Sequence, residues 1–285
     1  MKVTVQKNTV ISNPETRNFL ADAYYPETEN KLPLVIFVHG YKGYKDWGAW
    51  NLMAERFAQA GFYFVKFNFS HNGTTVENPH DFDDLEAFGN NNYSKELSDL
   101  NVVINHFSNE PQVDKNKIVL IGHSRGGGIS IIKTAEDIRI HGLITLASID
   151  SLERFPKNNA FENWKKEGVY FIENGRTKQQ MPHYYQFFED FENNFHRFDV
   201  ERCMEMAKAH VLVVHGTDDE SVSSKNSDHL HLLNPNSELF LVENANHTFC
   251  AKEPWKEDFM PYELSLVTEK CIDFLNEKIV NEDFE

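Results

Sequence analysis

Lys117-Ile118-Val119-Leu120-Ile121-Gly122-His123-Ser124-Arg125-Gly126-Gly127-Gly128 joins a run that reads as a buried strand to a run that reads as a helix. The strand ends at Gly122, and after the small residues come Ile129, Ile131, Ile132 and Ala135, spaced for a helix packed tightly on a sheet. A serine at the tip of such a turn has its hydroxyl held out above the sheet. The sharp reversal leaves no room for a Cβ at Gly122 or Gly126. G-x-S-x-G by itself recurs by chance, and the strand before it and helix behind it are the context it requires. The stretch predicts a nucleophile elbow with Ser124 as the nucleophile.

Outward from this turn, strand-like and helix-like runs alternate. Upstream, residues 3–10 and 19–25 alternate polar and apolar around the turn-prone Asn13-Pro14-Glu15, which predicts an edge hairpin. Leu34-Val35-Ile36-Phe37-Val38 is a continuous apolar run of the kind buried on both faces, and it ends in His39-Gly40. A helix over 48–60 stops at Gly61, a strand follows over 62–69, and 93–107 places Leu97, Leu100, Val103, Ile104 and Phe107 on one helical face. Downstream come strands over 142–147, 211–214 and 238–242 and a closing helix over 262–279. This order predicts an α/β fold: a mostly parallel sheet with helices on both faces and functional loops at the strands' carboxyl ends.

The alternation stops between 151 and 208. Asn174-Gly175 lies between possible short strands and signals a hairpin, and the aromatics from His183 through Phe191 to Phe195 and Phe198 predict one side of a helix. The segment is too long for a simple crossover, so we read 1–150 and 209–285 as the core and 151–208 as a small inserted cap.

A serine hydroxyl becomes nucleophilic when an imidazole takes its proton, and a carboxylate must fix that imidazole's tautomer. Both partners should follow later strands. His215-Gly216-Thr217-Asp218-Asp219-Glu220-Ser221-Val222 follows one, and Asn244-Ala245-Asn246-His247-Thr248-Phe249 follows the next. The spacing His-Gly-Thr-x-Asp-x-x-Val favours Asp219 over Asp218 and Glu220 as the acid, and His247 is the expected base. Two backbone N–H groups should hold the oxyanion: that of Arg125 at the helix start, and that of Tyr41 after His39-Gly40. His123 is expected to pack or hydrogen-bond, and His39 and His215 to brace loops.

Tyr41, Tyr44, Trp47 and Trp50 make the loop after His39-Gly40 unusually aromatic. Packing on the core accounts for Trp47 and Trp50. Tyr44 and the cap residues Trp164 and Tyr184 are candidate substrate-binding residues, suggesting an apolar or aromatic substrate part. His80-Asp81-x-Asp83-Asp84 and His229-x-His231 are weak as metal sites and read as solvated residues, so no metal or cofactor is expected.

Composition bounds the rest. The 285 residues carry a formal net charge of -16, which argues against nucleic acid or an anionic membrane as main partner. There is no apolar signal core and no run long enough to span a bilayer, and Cys203, Cys250 and Cys271 are widely spaced, so a cytoplasmic location is expected. Oligomeric state is not legible.

Over nearly its whole length the chain resembles the α/β-hydrolase superfamily. More narrowly it is similar to esterases related to dienelactone hydrolases, prolyl-oligopeptidase-type catalytic domains and cinnamoyl or feruloyl esterases. His39-Gly40-Tyr41-Lys42-Gly43-Tyr44-Lys45-Asp46-Trp47, the elbow, the Asp219 loop and His247 carry the likeness. It implies Ser124, Asp219 and His247 as triad, the Tyr41 and Arg125 amides as oxyanion hole, and a small cap between the sixth and seventh core strands. A serine stands where dienelactone hydrolases proper have cysteine, and the large propeller of full-length oligopeptidases is absent from this sequence. The expected activity is hydrolysis of a small-molecule carboxylic ester through an acyl-enzyme. A small peptidase or thioesterase with the same triad, or a non-catalytic ligand-binding protein of this fold, is the alternative.

Overall fold

The computed structural model describes residues 2–281. Ten strands occupy Val3–Ile11 (β1), Phe19–Pro26 (β2), Leu32–Val38 (β3), Tyr63–Phe67 (β4), Val113–His123 (β5), Ile140–Leu146 (β6), Val169–Glu173 (β7), Gln180–Tyr184 (β8), His210–Gly216 (β9) and Glu238–Val242 (β10). The helices are Trp50–Gln59 (α1), Leu85–Gly89 (α2), Tyr93–Phe107 (α3), Arg125–Glu136 (α4), Asn159–Glu167 (α5), Gln186–Asn193 (α6), Val200–Met206 (α7), Lys225–Leu233 (α8) and Tyr262–Leu275 (α9), the last running into a π-helical turn, Asn276–Val280.

Eight strands form one sheet in the order β1-β2-β4-β3-β5-β6-β9-β10. β2 is antiparallel to both β1 and β4, and every pairing from β4 to β10 is parallel. The continuous apolar runs are explained by two cores, one on each face. Leu34, Ile36 and Val38 of β3 and Ile118 and Leu120 of β5 point into the core shared with α3, α4 and α7. Val35, Phe37, Val119 and Ile121 point into the core shared with α1 and α9. Period-two alternation with no polar face is what a sheet covered on both sides requires.

Residues 151–208 leave the sheet and return to it. They hold α5, the β7–β8 antiparallel hairpin, α6 and α7. The hairpin turn spans 174–179, as the Asn-Gly signal suggests. The helix expected from His183 onward begins later: His183 and Tyr184 belong to β8, and α6 starts at Gln186. Tyr93 anchors α6 to α3 through a ring contact with Phe187 at 4.7 Å. The last element, α7, packs on α4 and contributes Val200, Cys203 and Met204 to the same core as α3, so it lies in the helical layer that covers this face of the sheet.

Candidate active site

Ser124 stands between β5 and α4 at φ 55° and ψ -121°, a conformation that costs about 1–3 kcal/mol for a residue with a side chain. The surroundings fix it. Ser124 N–H donates to the Leu146 carbonyl at 2.9 Å, and Gly127 N–H donates to the Ser124 carbonyl at 2.9 Å. The flanking glycines answer to close approaches: a Cβ at Gly122 would lie 2.4 Å from the Gly126 carbonyl oxygen, and one at Gly126 would lie 2.3 Å from that of Val38.

The loops after β9 and β10 bring the other two expected residues to this turn. His247 Nε2 lies 3.0 Å from Ser124 Oγ, and His247 Nδ1 lies 2.7 Å from Asp219 Oδ2. An ionised carboxylate only accepts, so Nδ1 carries the proton and Nε2 is left free to accept from the serine hydroxyl. The Asp219 side chain is shielded from solvent. Burial alone would raise its carboxyl, but hydrogen bonds from His215, His247 and the Val222 amide together hold it well below the usual carboxylate range. Its Oδ1 accepts from the amides of Ser221 and Val222 at 2.8 and 2.9 Å. Asp218, in contrast, accepts from the Thr217 hydroxyl, and Glu220 is exposed. Of the three acids considered, Asp219 is the one against His247.

Two further histidines brace the site. His123 Nε2–H donates to the His247 carbonyl at 2.9 Å, and burial pushes the His123 imidazole down to about 3, so it stays neutral. His39 accepts from the Phe69 amide through Nε2 at 3.1 Å and donates from Nδ1 to the Gly40 carbonyl at 2.9 Å, with burial lowering it to about 4. His39 thereby holds the loop that carries Tyr41 beside the serine. A Cβ at Gly40 would stand 2.9 Å from Ser124 Cβ, so this loop passes close to the nucleophile position. Arg125 is the first residue of α4, where the amide has no intrahelical acceptor, and Tyr41 and Arg125 both line the cleft above Ser124.

That cleft has a volume of about 430 Å³ and reaches Ser124 and His247. The β7–β8 hairpin and α6 form one side through Tyr170, His183 and Phe187, with Tyr93 of α3 nearby. The Tyr41 hydroxyl donates to His183 Nε2 at 2.8 Å, since His183 Nδ1–H is used by the Met181 carbonyl at 3.2 Å.

The three expected substrate-binding residues do not line this cleft. Tyr44 is buried with Phe82, Phe88 and Met181 under the loop. Trp164 is buried in the core, and its indole N–H donates to the His183 carbonyl at 2.8 Å. Tyr184 faces away, its hydroxyl donating to Glu86. From residues 151–208 the cleft is lined instead by Arg154, Tyr170, Ile172, His183 and Phe187, none of them among the expected substrate-binding residues. Period-two alternation in β8 is the signal that would have exchanged Tyr184 for His183. Trp50 packs in the core as expected, against Phe37 with ring centroids 4.9 Å apart.

Elsewhere, His229 pairs with Asp150 at 3.0 Å and His231 with the Ser237 hydroxyl at 2.8 Å. Among the described residues no group of three or more His, Cys, Asp or Glu is arranged to hold a metal ion, and no helix is long and apolar enough to cross a membrane.

A strand–serine–helix elbow on a mostly parallel eight-stranded sheet, with an acid and a histidine on loops after later strands, defines the α/β-hydrolase class. The sequence profile of the prolyl oligopeptidase family matches residues 52–262, and the chain belongs to that family. It is 26% identical over 122 residues to the quorum-quenching protein AidA of Acinetobacter baumannii (strain MDR-ZJ06), a match covering 43% of this chain and 37% of that protein. Among solved structures, Est1E from Butyrivibrio proteoclasticus with ferulic acid bound superposes with a TM-score of 0.72 at 19% identity, over 95% of this chain and 99% of that one. A putative dienelactone hydrolase from Klebsiella pneumoniae subsp. pneumoniae MGH 78578 gives 0.61 at 14% identity, over 98% and 99%. At these identities the likeness to both structures is one of fold.

Proposed function

We propose that the protein hydrolyses carboxylic esters of small molecules through an acyl-enzyme. The observation that carries this reading is the continuous path from Ser124 Oγ to His247 Nε2 at 3.0 Å and from His247 Nδ1 to Asp219 Oδ2 at 2.7 Å, opening on the cleft. Ser124 Oγ attacks the ester carbonyl while His247 Nε2 takes its proton, and Asp219 stabilises the imidazolium. The amides of Tyr41 and Arg125 hold the oxyanion. His247 then protonates the departing alcohol oxygen, and a water deprotonated by His247 releases the acid and restores the hydroxyl.

Support for an ester comes from the cleft, whose 430 Å³ suits one small acyl or alcohol group, and whose tyrosines suit a planar or aromatic part. A structural neighbour with ferulic acid bound accords with this. The family's name keeps a peptide substrate as the second reading, since the same relay cleaves amides.

The test is labelling by a fluorophosphonate probe, followed by kcat/KM on matched p-nitrophenyl ester, thioester and aminoacyl p-nitroanilide substrates, with the natural protein and Ser124→Ala. Labelling and ester turnover that both vanish in the variant are expected. A folded natural protein that neither labels nor turns over any ester would overturn the proposal, and faster anilide than ester cleavage would favour the peptidase reading.

A further inference from the structure

The chain carries 44 acidic and 28 basic residues, yet among the described residues no Asp or Glu lines the cleft above Ser124, whereas Lys42, Arg125 and Arg154 all do. The sign of the cleft is opposite to that of the molecule. Random placement of charge on so acidic a chain favours the reverse, so the three cations together call for an explanation in terms of what enters.

Their individual settings sharpen the point. Lys42 directly follows Tyr41, is half-buried, and has its ammonium 5.1 Å over the Tyr41 ring with no carboxylate partner among the described residues. Burial lowers its pKa, as expected for a cation partly withdrawn from water without a counter-ion. Arg154 is exposed at the mouth of the cleft and makes no side-chain ion pair with a described residue. Arg125 differs: one edge of its guanidinium is held by the buried Glu96 at 2.6 Å, and Glu96 Oε1 is also fixed by the Asn91 side-chain amide at 2.7 Å. That pairing cancels much of the Arg125 charge but orients its planar fork, which lies 5.0 Å over the Tyr41 ring. One oriented guanidinium with two unpaired cations around it is an arrangement that binds a carboxylate or phosphate by charge-assisted hydrogen bonds. On the far side of His247 the lining changes sign, with Asp218, Glu220 and Glu253 joining Arg176 and Lys252. An anionic group therefore has one favoured side of the site.

We infer that the cleft selects esters whose acyl or alcohol part carries a second, negatively charged group, held by Lys42, Arg125 and Arg154. This rests on the esterase reading above. The charged group lies beside the reacting carbonyl without taking part in the chemistry, so its effect is on specificity.

The test measures kcat/KM on two matched pairs, each rate divided by that of the same ester in hydroxide. In one the charge is on the acyl side, p-nitrophenyl hemiglutarate against p-nitrophenyl pentanoate. In the other it is on the alcohol side, 4-(carboxymethyl)phenyl butyrate against 4-ethylphenyl butyrate. In at least one pair the anionic ester is expected to lead by about tenfold, the size of one added charge-assisted hydrogen bond. The lead should shrink toward parity in Lys42→Met and Arg154→Met and in high salt. Arg154 is exposed, so its replacement leaves the fold a fair comparison even if Lys42→Met disturbs the loop. Parity or neutral preference in both pairs, with turnover that still depends on Ser124, overturns the inference and leaves the esterase reading intact. A lead that both variants leave unchanged, or an equal slowing of both members of a pair, removes these residues from selection and overturns it as well. Absence of Ser124-dependent labelling is the separate outcome that removes the esterase reading itself.

Discussion

His215 Nε2 lies 3.1 Å from Asp219 Oδ2, the same carboxylate oxygen that faces His247 Nδ1 at 2.7 Å. Two imidazoles thus share one oxygen, one from the carboxyl end of β9 and one from the loop after β10. His215 also donates to the Val222 carbonyl at 2.9 Å, while Asp219 Oδ1 accepts from the Ser221 and Val222 amides, so the acid loop is closed on itself around the carboxylate. The His215 ring is fully buried and its Nδ1 has no hydrogen-bond partner among the described residues, a cost borne to keep Nε2–H on Asp219 and the Val222 carbonyl.

Replacing His215 by Phe removes that donor while filling the space. The carboxylate loses one charge-assisted hydrogen bond and the loop one tie, so Asp219 is held less firmly against His247. We expect kcat to fall about tenfold with KM little changed, since the change is remote from the cleft. Steady-state kinetics on one ester checks it, and an effect confined to KM would contradict the arrangement.

Asp219→Asn should be far more costly. With the amide oxygen kept on the Ser221 and Val222 amides, its NH2 would face His247 Nδ1 and force the proton to Nε2, where the serine proton must go. The expected loss in kcat is about 10³–10⁴-fold with a near-native unfolding transition. Activity within tenfold of the natural protein would show that another carboxylate does this work.

Most of the core was legible in the sequence because local pattern and global burial agree there. Leu34 to Val38 is apolar at every position since the sheet is covered on both faces, and Ser124, Asp219 and His247 each follow a parallel strand whose carboxyl end the fold directs to one side. The cleft wall was legible only in part, because how an insertion lies over a site is a non-local matter. Aromatic bulk is what makes Tyr44 and Trp164 look like pocket residues in the sequence, and bulk is also what draws such side chains into a core. Tyr184 and His183 are adjacent on one strand, so a helical reading of that stretch hid which of the two faces the cleft.

Acid should destabilise the fold through its buried histidines. Burial lowers His39 and His183 to about 4 and His123 to about 3, against about 6.5 in the unfolded chain. Between those values the unfolded state binds protons that the folded state does not, so stability is full above pH 6.5 and falls as pH drops toward 4. Glu96 and Asp99, which burial raises above the ordinary carboxylate range, act in the opposite sense over part of this window. His71, which burial also lowers to about 4, adds to these three, and with four histidines against two carboxylates a net loss of stability is expected below pH 6.5. Urea unfolding from pH 7 to 4.5 measures it, and His183→Gln should make the dependence shallower.

The loop that carries Tyr41 is tied to the sheet by charge. Asp22 of β2 and Lys66 of β4 are paired across the antiparallel ladder, and both are fully buried. Lys45 and Asp46 reach down from the loop to complete a ring: each ammonium contacts both carboxylates, Lys45 at 2.9 Å and Lys66 at 2.8 Å from Asp22, and both from Asp46. Burial would raise the Asp46 carboxyl, but the two lysines together hold it below its usual range. Two positive and two negative groups out of water are tolerable only as a closed set. Lys66→Met would leave two carboxylates sharing one ammonium, at a cost of about 3–5 kcal/mol, whereas Lys66→Met with Asp22→Leu removes one charge of each sign and should recover much of that. If the single variant proved as stable as the natural protein in urea, the ring would be carrying no net structural burden. Because Lys45 and Asp46 sit four and five residues beyond Tyr41, the single variant should also lower kcat on any ester the natural protein turns over. The double variant should recover less activity than stability, since it leaves the loop with one lysine–aspartate pair where it had four contacts.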